Sequence, residues 1–310
     1  MSRNILRGNY LEDHNFLTYK SFAEKALSWL NNNLEKFTPF NKNNVSMNGL
    51  KVFSELCLIY TYLNNWNHLG LDSKISTWHS FIKSHLENQI FAQAVRRKPE
   101  LSYALMFPYL LIRSTGYRSE YYEESFKYMK RWGLYESVEL VPYRQLDLEF
   151  FLWKSGFDNK NPKWKEHFNS TVLGRCYSPL ILDENAAYSV THTLFYMTDF
   201  SNQSLPLSQK QINRVTNIVE ALLINFWRVG HFDLMGELLI NLNCLNKDNT
   251  YLYQKALNAF FEVWNEDGSI PGRINDIEKM DKFTTCYHTT LVALLLCSIG
   301  MNKAAKKEVV

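Results

Sequence analysis

The feature that most constrains this chain is an alternation between two kinds of helical segment. Amphipathic segments, such as the one that contains Gln209–Arg214, carry charged and polar residues. The segments between them are apolar almost all round, as in LSYALMFPYLLI, LMGELLINLNCL and TTLVALLLC. A helix that is apolar on every side must be buried, whereas an amphipathic helix buries one face. The pattern therefore predicts an all-α protein in which exposed and buried helices alternate along the chain.

The same periodicity predicts about twelve helices, which would form six hairpins. We expect them to begin near Asn15, Ser46, Ser73, Pro99, Ser119, Pro142, Trp164, Asp183, Ser208, Phe232, Tyr251 and Phe283. The length of 310 residues would allow two domains, but no low-complexity linker divides the chain. We therefore predict a single domain over residues 1–310, an α/α toroid in which the buried helices surround a central cavity.

Polar residues crowd toward the N-terminal halves of the apolar segments. In a toroid the inner helices run roughly parallel, so these residues would meet at one mouth of the ring. Helix caps and first-turn dipole partners account for acidic residues such as Asp183 and Glu100. They account poorly for His192 and His288, because histidine is not favoured at helix N-termini.

Several classes of function have no support in the sequence. The net charge is +3 and the longest basic run is Arg96–Lys98, so no nucleic-acid-binding stripe is present. The five cysteines are odd in number and include no CxxC, which argues against a disulfide framework or a zinc ribbon. The polar N-terminus lacks the core of a signal peptide, and no apolar run reaches the roughly 18 residues of a membrane span. We therefore expect a cytoplasmic protein without a membrane span.

Four residues of the later segments are candidate zinc ligands: His192, His231, Cys286 and His288. Imidazole and thiolate are preferred zinc ligands, and a catalytic site needs three ligands and an open position. Residues two apart on a helix diverge by about 200°, so only one of Cys286 and His288 should face the site, and we favour His288.

The candidate catalytic residues are Asp233, Glu237 and Tyr188. Asp233 and Glu237 are spaced i,i+4 and share one helix face. Because Glu237 interrupts an apolar run, we predict that it is buried beside a cation or a histidine. It would then be either a structural ion pair or a group with a raised pKa that serves acid–base chemistry. Tyr188 is also spaced i,i+4 from His192, so a hydrogen bond between them could fix the histidine tautomer.

Two resemblances extend this interpretation. The stretch Asp267–Arg273 (DGSIPGR) and the following CYHTTLVALL resemble the last repeats of the terpenoid-cyclase and protein-prenyltransferase superfamily. The resemblance implies an α/α toroid and a zinc ligand at His288, although Ser269 stands where a cysteine ligand would be needed. The stretches THTLFYMTDF, GHFDLMGELL and CYHTTLVALL are similar to an uncharacterised bacterial family.

Together these features favour a toroid enzyme with zinc as its candidate cofactor. The chain contains 20 Phe, 18 Tyr and 8 Trp, which suits either a bulky core or a cavity for an apolar ligand. We expect an apolar or peptide-like substrate in specialised metabolism and a transferase, cyclase or lyase reaction. The alternatives are a non-catalytic helical module that binds a ligand or protein partner, and, third, a glycoside-processing toroid. The sequence leaves the oligomeric state open.

Overall fold

The protein is all-α, as the periodicity predicts. A computed structural model describes residues 2–64, 72–98, 101–176, 178–276 and 281–308. These residues form fifteen α-helices and one antiparallel β-hairpin. Its two strands have two residues each, and β1 (Phe40–Asn41) pairs with β2 (Asn44–Val45). Pro99 and Glu100, a predicted helix start and a predicted polar first-turn residue, lie outside the described residues.

The helices are α1 (Ser2–Asn32), α2 (Met47–Asn64), α3 (Asp72–Leu86), α4 (Gln89–Arg97), α5 (Ser102–Arg113), α6 (Glu120–Arg131), α7 (Leu134–Ser137), α8 (Pro142–Lys154), α9 (Trp164–Ser170), α10 (Val172–Arg175), α11 (Glu184–Met197), α12 (Gln209–Arg228), α13 (Phe232–Cys244), α14 (Tyr251–Glu262) and α15 (Lys282–Glu308). Two of them, α4 and α7, are short helices that the prediction of twelve did not contain, and the predicted helix near Trp164–Leu173 is divided into α9 and α10. As predicted, α8 begins at Pro142 and Asp183 caps α11 by accepting a hydrogen bond from the Ala186 amide.

Contacts between residues divide the chain into two compact units. The first unit comprises the described parts of residues 1–33, 66–74 and 178–310, and the second comprises 34–65 and 75–177. The single domain over residues 1–310 and its ring of hairpins stay predictions.

The core of the first unit is built around α13. This helix contacts α11, α12, α14 and α15, and each of its thirteen residues is buried. Gly236 allows the close approach, because a Cβ there would lie 2.9 Å from Val292 Cγ1 and 3.0 Å from Phe260 Cζ. In the same unit α1 packs along α15, where Gly300 leaves space for the ring of Tyr19.

In the second unit α5 packs against α2, α4 and α8, and α6 packs against α4 and α7. A half-buried ion pair joins the end of α5 to α6: Arg113 Nε donates to Glu123 Oε1 at 2.6 Å. Tyr109 Oη donates to the same oxygen at 2.6 Å.

Helix α15 bears on the expectation that the chain has no membrane span. Its stretch Lys282–Ala305 is 24 residues long with a mean hydropathy of 1.4, so by length and composition it could cross a membrane. The stretch is not an unbroken apolar run, and the absence of a span stays a prediction. Within the 18-residue window tested, 78% of the residues are buried inside the structure, which is also the property of a core helix in a soluble protein.

Candidate functional site

The start of α13 places two carboxylates at one end of the first unit's core. Gly230 ends α12 with a positive φ of 66°, and the next residue, His231, is the N-cap of α13. Its Nδ1 accepts a hydrogen bond from the Leu234 amide at 3.3 Å. Asp233 therefore lies in the first turn of α13, where the helix dipole favours a negative charge, and Glu237 lies one turn further on.

Asp233 is the centre of a hydrogen-bond network that joins three helices. Tyr188 Oη on α11 donates to Oδ2 at 2.6 Å. His288 Nδ1 and Thr289 Oγ1 on α15 donate to Oδ1 at 2.6 Å and 2.9 Å. Because the imidazole uses Nδ1–H for the carboxylate, the neutral form of His288 carries its acceptor lone pair on Nε2.

The network fixes the ionisation of its members. Burial raises the pKa of Asp233, but the charge of His288 and the hydrogen bonds from His288, Tyr188 and Thr289 outweigh it, so this pKa lies well below its usual range. Burial, followed by the charges of Asp233 and Glu237, raises the pKa of Tyr188 far above its usual value. Asp233 therefore stays an acceptor and Tyr188 stays a donor at neutral pH.

Glu237 is buried, as predicted, with 1% of its surface exposed. Thr191 Oγ1 donates to its Oε2. Two histidines lie beside it: His288 Nε2 is 3.9 Å from Oε1, and His192 Nδ1 is 3.9 Å from Oε2. The predicted proximity of Glu237 to a histidine is thus confirmed, at distances too long for a direct hydrogen bond.

Asp233, Glu237 and His288 form a group with the chemistry of a metal site, here called the DEH cluster. One ligand atom from each lies within 4.8 Å of the others. Carboxylate oxygen and imidazole nitrogen are both zinc ligands, and three protein ligands suffice for a catalytic zinc. The side chain of His288 is 28% exposed, so the cluster is reachable from solvent. The residues therefore fit the donor set of a catalytic zinc.

The other predicted zinc ligands are not members of this cluster. His231 uses Nδ1 as a helix cap, and its buried Nε2 lies 3.3 Å from Glu184 Oε1 without making a hydrogen bond among the described residues. His192 donates Nδ1–H to the Tyr188 carbonyl at 2.8 Å, so its predicted partner Tyr188 binds it through the backbone and not through the hydroxyl.

Cys286, also a predicted ligand, is buried against the loop that precedes α15. Its Sγ lies 3.7 Å from Thr285 Oγ1, and burial raises the pKa of its thiol. As the spacing on the helix predicts, His288 is the one of the two residues that belongs to the cluster.

Sequence reasoning missed three polar side chains of the site: Thr191, Thr289 and Asn241. Thr191 and Thr289 each hydrogen-bond a cluster carboxylate, and each adjoins a predicted histidine in the sequence. Asn241 lies one turn beyond Glu237 and donates Nδ2–H to the Thr191 carbonyl at 3.2 Å. A hydroxyl next to a histidine on an apolar helix is the signal that could have identified the two threonines.

The second unit contains a related tyrosine–aspartate pair. Tyr103 Oη donates to Asp147 Oδ2 at 2.7 Å. The two residues are 44 positions apart in the sequence, and Tyr188 and Asp233 are 45 positions apart. The cation beside Asp147 is Arg144, at 3.1 Å. Arginine does not release its proton in proteins, whereas histidine does. Of the two pairs, that of the first unit has a histidine as its partner, a residue type that can both take up and give up a proton.

Comparison with known proteins identifies the family. No curated protein and no solved structure matches this chain. The family described as Domain of unknown function (DUF6895) matches residues 23–298, which include every residue of the DEH cluster. The chain therefore belongs to the DUF6895 family.

Proposed function

We propose that this chain is an enzyme and that His288, oriented by Asp233, is the group that transfers protons in its reaction. The observation that carries the proposal is the 2.6 Å contact between His288 Nδ1 and Asp233 Oδ1, which leaves Nε2 as the reactive nitrogen. A base held by a third group in this way is a recurring feature of enzyme active sites.

The surroundings of His288 suit this role. When Nε2 takes up a proton, the imidazolium faces the ionised Asp233 and lies near Glu237, so the new charge is stabilised. Tyr188 and Thr289 hold Asp233 in place while this happens. A positioned acid or base of this kind typically contributes a factor of about 10² to 10⁴ in rate.

Zinc is the proposed cofactor, and Asp233, Glu237 and His288 would hold it. When bound, it would supply a Lewis acid and lower the pKa of a bound water. Without metal, the same three residues form an acid–base site, in which Asp233 orients His288 through Nδ1. With metal bound, Asp233 and His288 would instead serve as ligands, and the bound water would be the group that exchanges a proton.

The proposed substrate is an apolar or peptide-like small molecule of specialised metabolism, and transferase, cyclase and lyase reactions are the proposed classes. Aromatic rings beside His192, whose Nδ1 lies 3.9 Å from Glu237, support the apolar part of this proposal. The ring of His192 lies 5.8 Å from that of Phe195 and 6.1 Å from that of Tyr196. The toroid arrangement, the resemblance to prenyltransferases and a cytoplasmic location belong to the same proposal.

One observation favours the alternative, a non-catalytic module that binds a ligand or partner. Both oxygens of Asp233 are engaged by side chains of α11 and α15, and such a network also serves to fix three helices together. The two functions differ in what happens when His288 is changed, because a purely structural network affects stability alone.

Replacing His288 by Asn tests the proposal. We expect acyl transfer from a panel of acyl p-nitrophenyl esters and peptide p-nitroanilides to an added amine to fall by about 10² or more, because the proton acceptor is lost. His167→Asn is the matched control, since His167 is also buried and pairs with a carboxylate, Glu149, at 2.7 Å in the second unit. Equal losses in the two variants, or wild-type protein that neither turns over the panel nor binds metal, would favour the binding module.

Replacing Glu237 by Gln tests the metal. We expect zinc content, measured by mass spectrometry after reconstitution and desalting, to fall at least tenfold, because a neutral amide is a poor zinc ligand. Unfolding in urea should change less than activity does, because Gln can still accept the hydrogen bond from Thr191. Unchanged zinc content in Glu237→Gln, or none in wild type, would remove the metal and leave the acid–base proposal standing.

A further inference from the structure

A cleft in the second unit, separate from the DEH cluster, gathers positive charge. It has a volume of about 460 Å³, which is within the range of small-molecule sites. Its walls come from the end of α5, from one face of α6 and from the turn after α8. The lining residues are Arg113, Glu123, Lys127, Lys130, Arg131 and Phe157.

Two of the four cations are held in fixed positions. Arg113 binds both carboxylate oxygens of Glu123, at 2.6 Å and 3.2 Å, and donates to the Ser155 carbonyl. Lys130 Nζ lies 3.4 Å from Asp158 Oδ2. Both cations stand 5.7 Å from the centre of the Phe157 ring, which forms an apolar floor between them.

The other two cations, Lys127 and Arg131, make no ion pair among the described residues. They are exposed and lie one turn apart on α6, where like charges at i,i+4 repel each other. The C-terminal end of a helix attracts cations, which explains basic residues in the last turn of α6. Arg113 enters the same cleft from α5, where it pairs with Glu123. The four cations carry four positive charges, and Glu123 and Asp158 together carry two negative charges. Two positive charges of the cleft are therefore not compensated.

We propose that this cleft binds the phosphate group of a phosphorylated small molecule. A phosphate monoester carries close to two negative charges at neutral pH, which matches the charge that Lys127 and Arg131 leave uncompensated. Arginine binds phosphate through two parallel N–H groups, and lysine binds it as a point charge. Phe157 offers an apolar surface for the organic part of the ligand. This binding site is independent of the chemistry at His288.

Calorimetric titration with inorganic phosphate tests the site, with sodium chloride used to hold the ionic strength constant. We expect saturable binding of one phosphate per chain, weakened at least tenfold in the double variant Lys127→Gln, Arg131→Gln. The matched control is Lys210→Gln, Arg228→Gln, which removes one lysine and one arginine from the exposed surface of α12 and should bind as wild type does.

The outcomes separate a built site from general attraction of anions. Equal weakening in both double variants would mean that only net charge matters and would overturn the proposal, as would the absence of saturable binding in wild type. Thermal unfolding verifies that the variants fold. The single variant Lys127→Gln, expected to bind several-fold more weakly, keeps the test decisive if the double variant does not fold.

Discussion

Replacing Asp233 by Asn should lower the free energy of unfolding by about 3 kcal/mol at pH 7, since breaking a buried, hydrogen-bonded charge pair has an effect of this size. The amide keeps the shape of the carboxylate but removes the charge that faces His288. It also places an N–H where an oxygen now accepts from Tyr188 or His288. Urea denaturation gives the value, and turnover on the ester panel should be lost with it.

The difference in unfolding free energy between wild type and Asp233→Asn should depend on pH, because the pKa of Asp233 is lowered in the folded state. A carboxyl whose pKa is lower in the folded state stabilises the fold above the unfolded pKa, about 3.9, and this stability is lost as the pH falls below it. The difference between wild type and Asp233→Asn should therefore be constant from pH 5 to 6 and narrow below about pH 4.

Asp267→Asn is the control for this effect, because Asp267 pairs with the exposed Lys282 and should contribute less than about 1 kcal/mol. If Asp233→Asn lowers the free energy of unfolding as little as the control does, the hydrogen-bond network around Asp233 is contradicted. A difference that widens toward acid pH would contradict it too.

Replacing Gly268 by Ala should destabilise the first unit by about 2 to 5 kcal/mol. The φ of Gly268 is +92°, a region that costs an L-residue about 1–2 kcal/mol. A Cβ there would also lie 2.3 Å from the Lys25 carbonyl oxygen of α1, and overlap with a rigid backbone adds about 1–3 kcal/mol. Urea unfolding followed by circular dichroism measures the loss.

Gly116→Ala separates the two contributions. Gly116 has a φ of +100°, but a Cβ there would meet nothing within 4 Å, so only the conformational cost of about 1–2 kcal/mol remains. If Gly268→Ala costs no more than Gly116→Ala, the close approach between Gly268 and α1 is not a feature of the folded protein.

The extent to which the sequence predicts this fold depends on helix length. Long helices such as α12 and α13 contain several turns of the apolar pattern, and their predicted starts at Ser208 and Phe232 lie within a residue of those found. The short helices α7 and α10 span only four residues each, about one turn, so no period can reveal them. Helix α15 continues to Glu308, beyond the apolar stretch TTLVALLLC that marks it in the sequence, and its last residues are helical without being uniformly apolar.

The site was predictable where a polar residue interrupts an apolar helix. Glu237 was located by that rule, and Asp233 and His288 by their positions near helix starts. The set of zinc ligands was harder to predict, because residue type alone does not show which side chains lie close together. The structure groups His288 with Asp233 and Glu237, while His231 is used as a cap. A hydrogen bond to a cap depends on the loop that ends at Gly230, which helical periodicity does not describe.

The complete burial of α13 has a consequence for how the site is lost on heating or in denaturant. Amide protons of a helix without a solvent-facing side exchange with water only when the surrounding helices separate, so α13 should exchange among the slowest segments of the chain. Asp233 and Glu237 both belong to this helix. Fraying of the exposed helices would therefore leave the two carboxylates in place, and their arrangement would disappear only when the first unit unfolds as a whole.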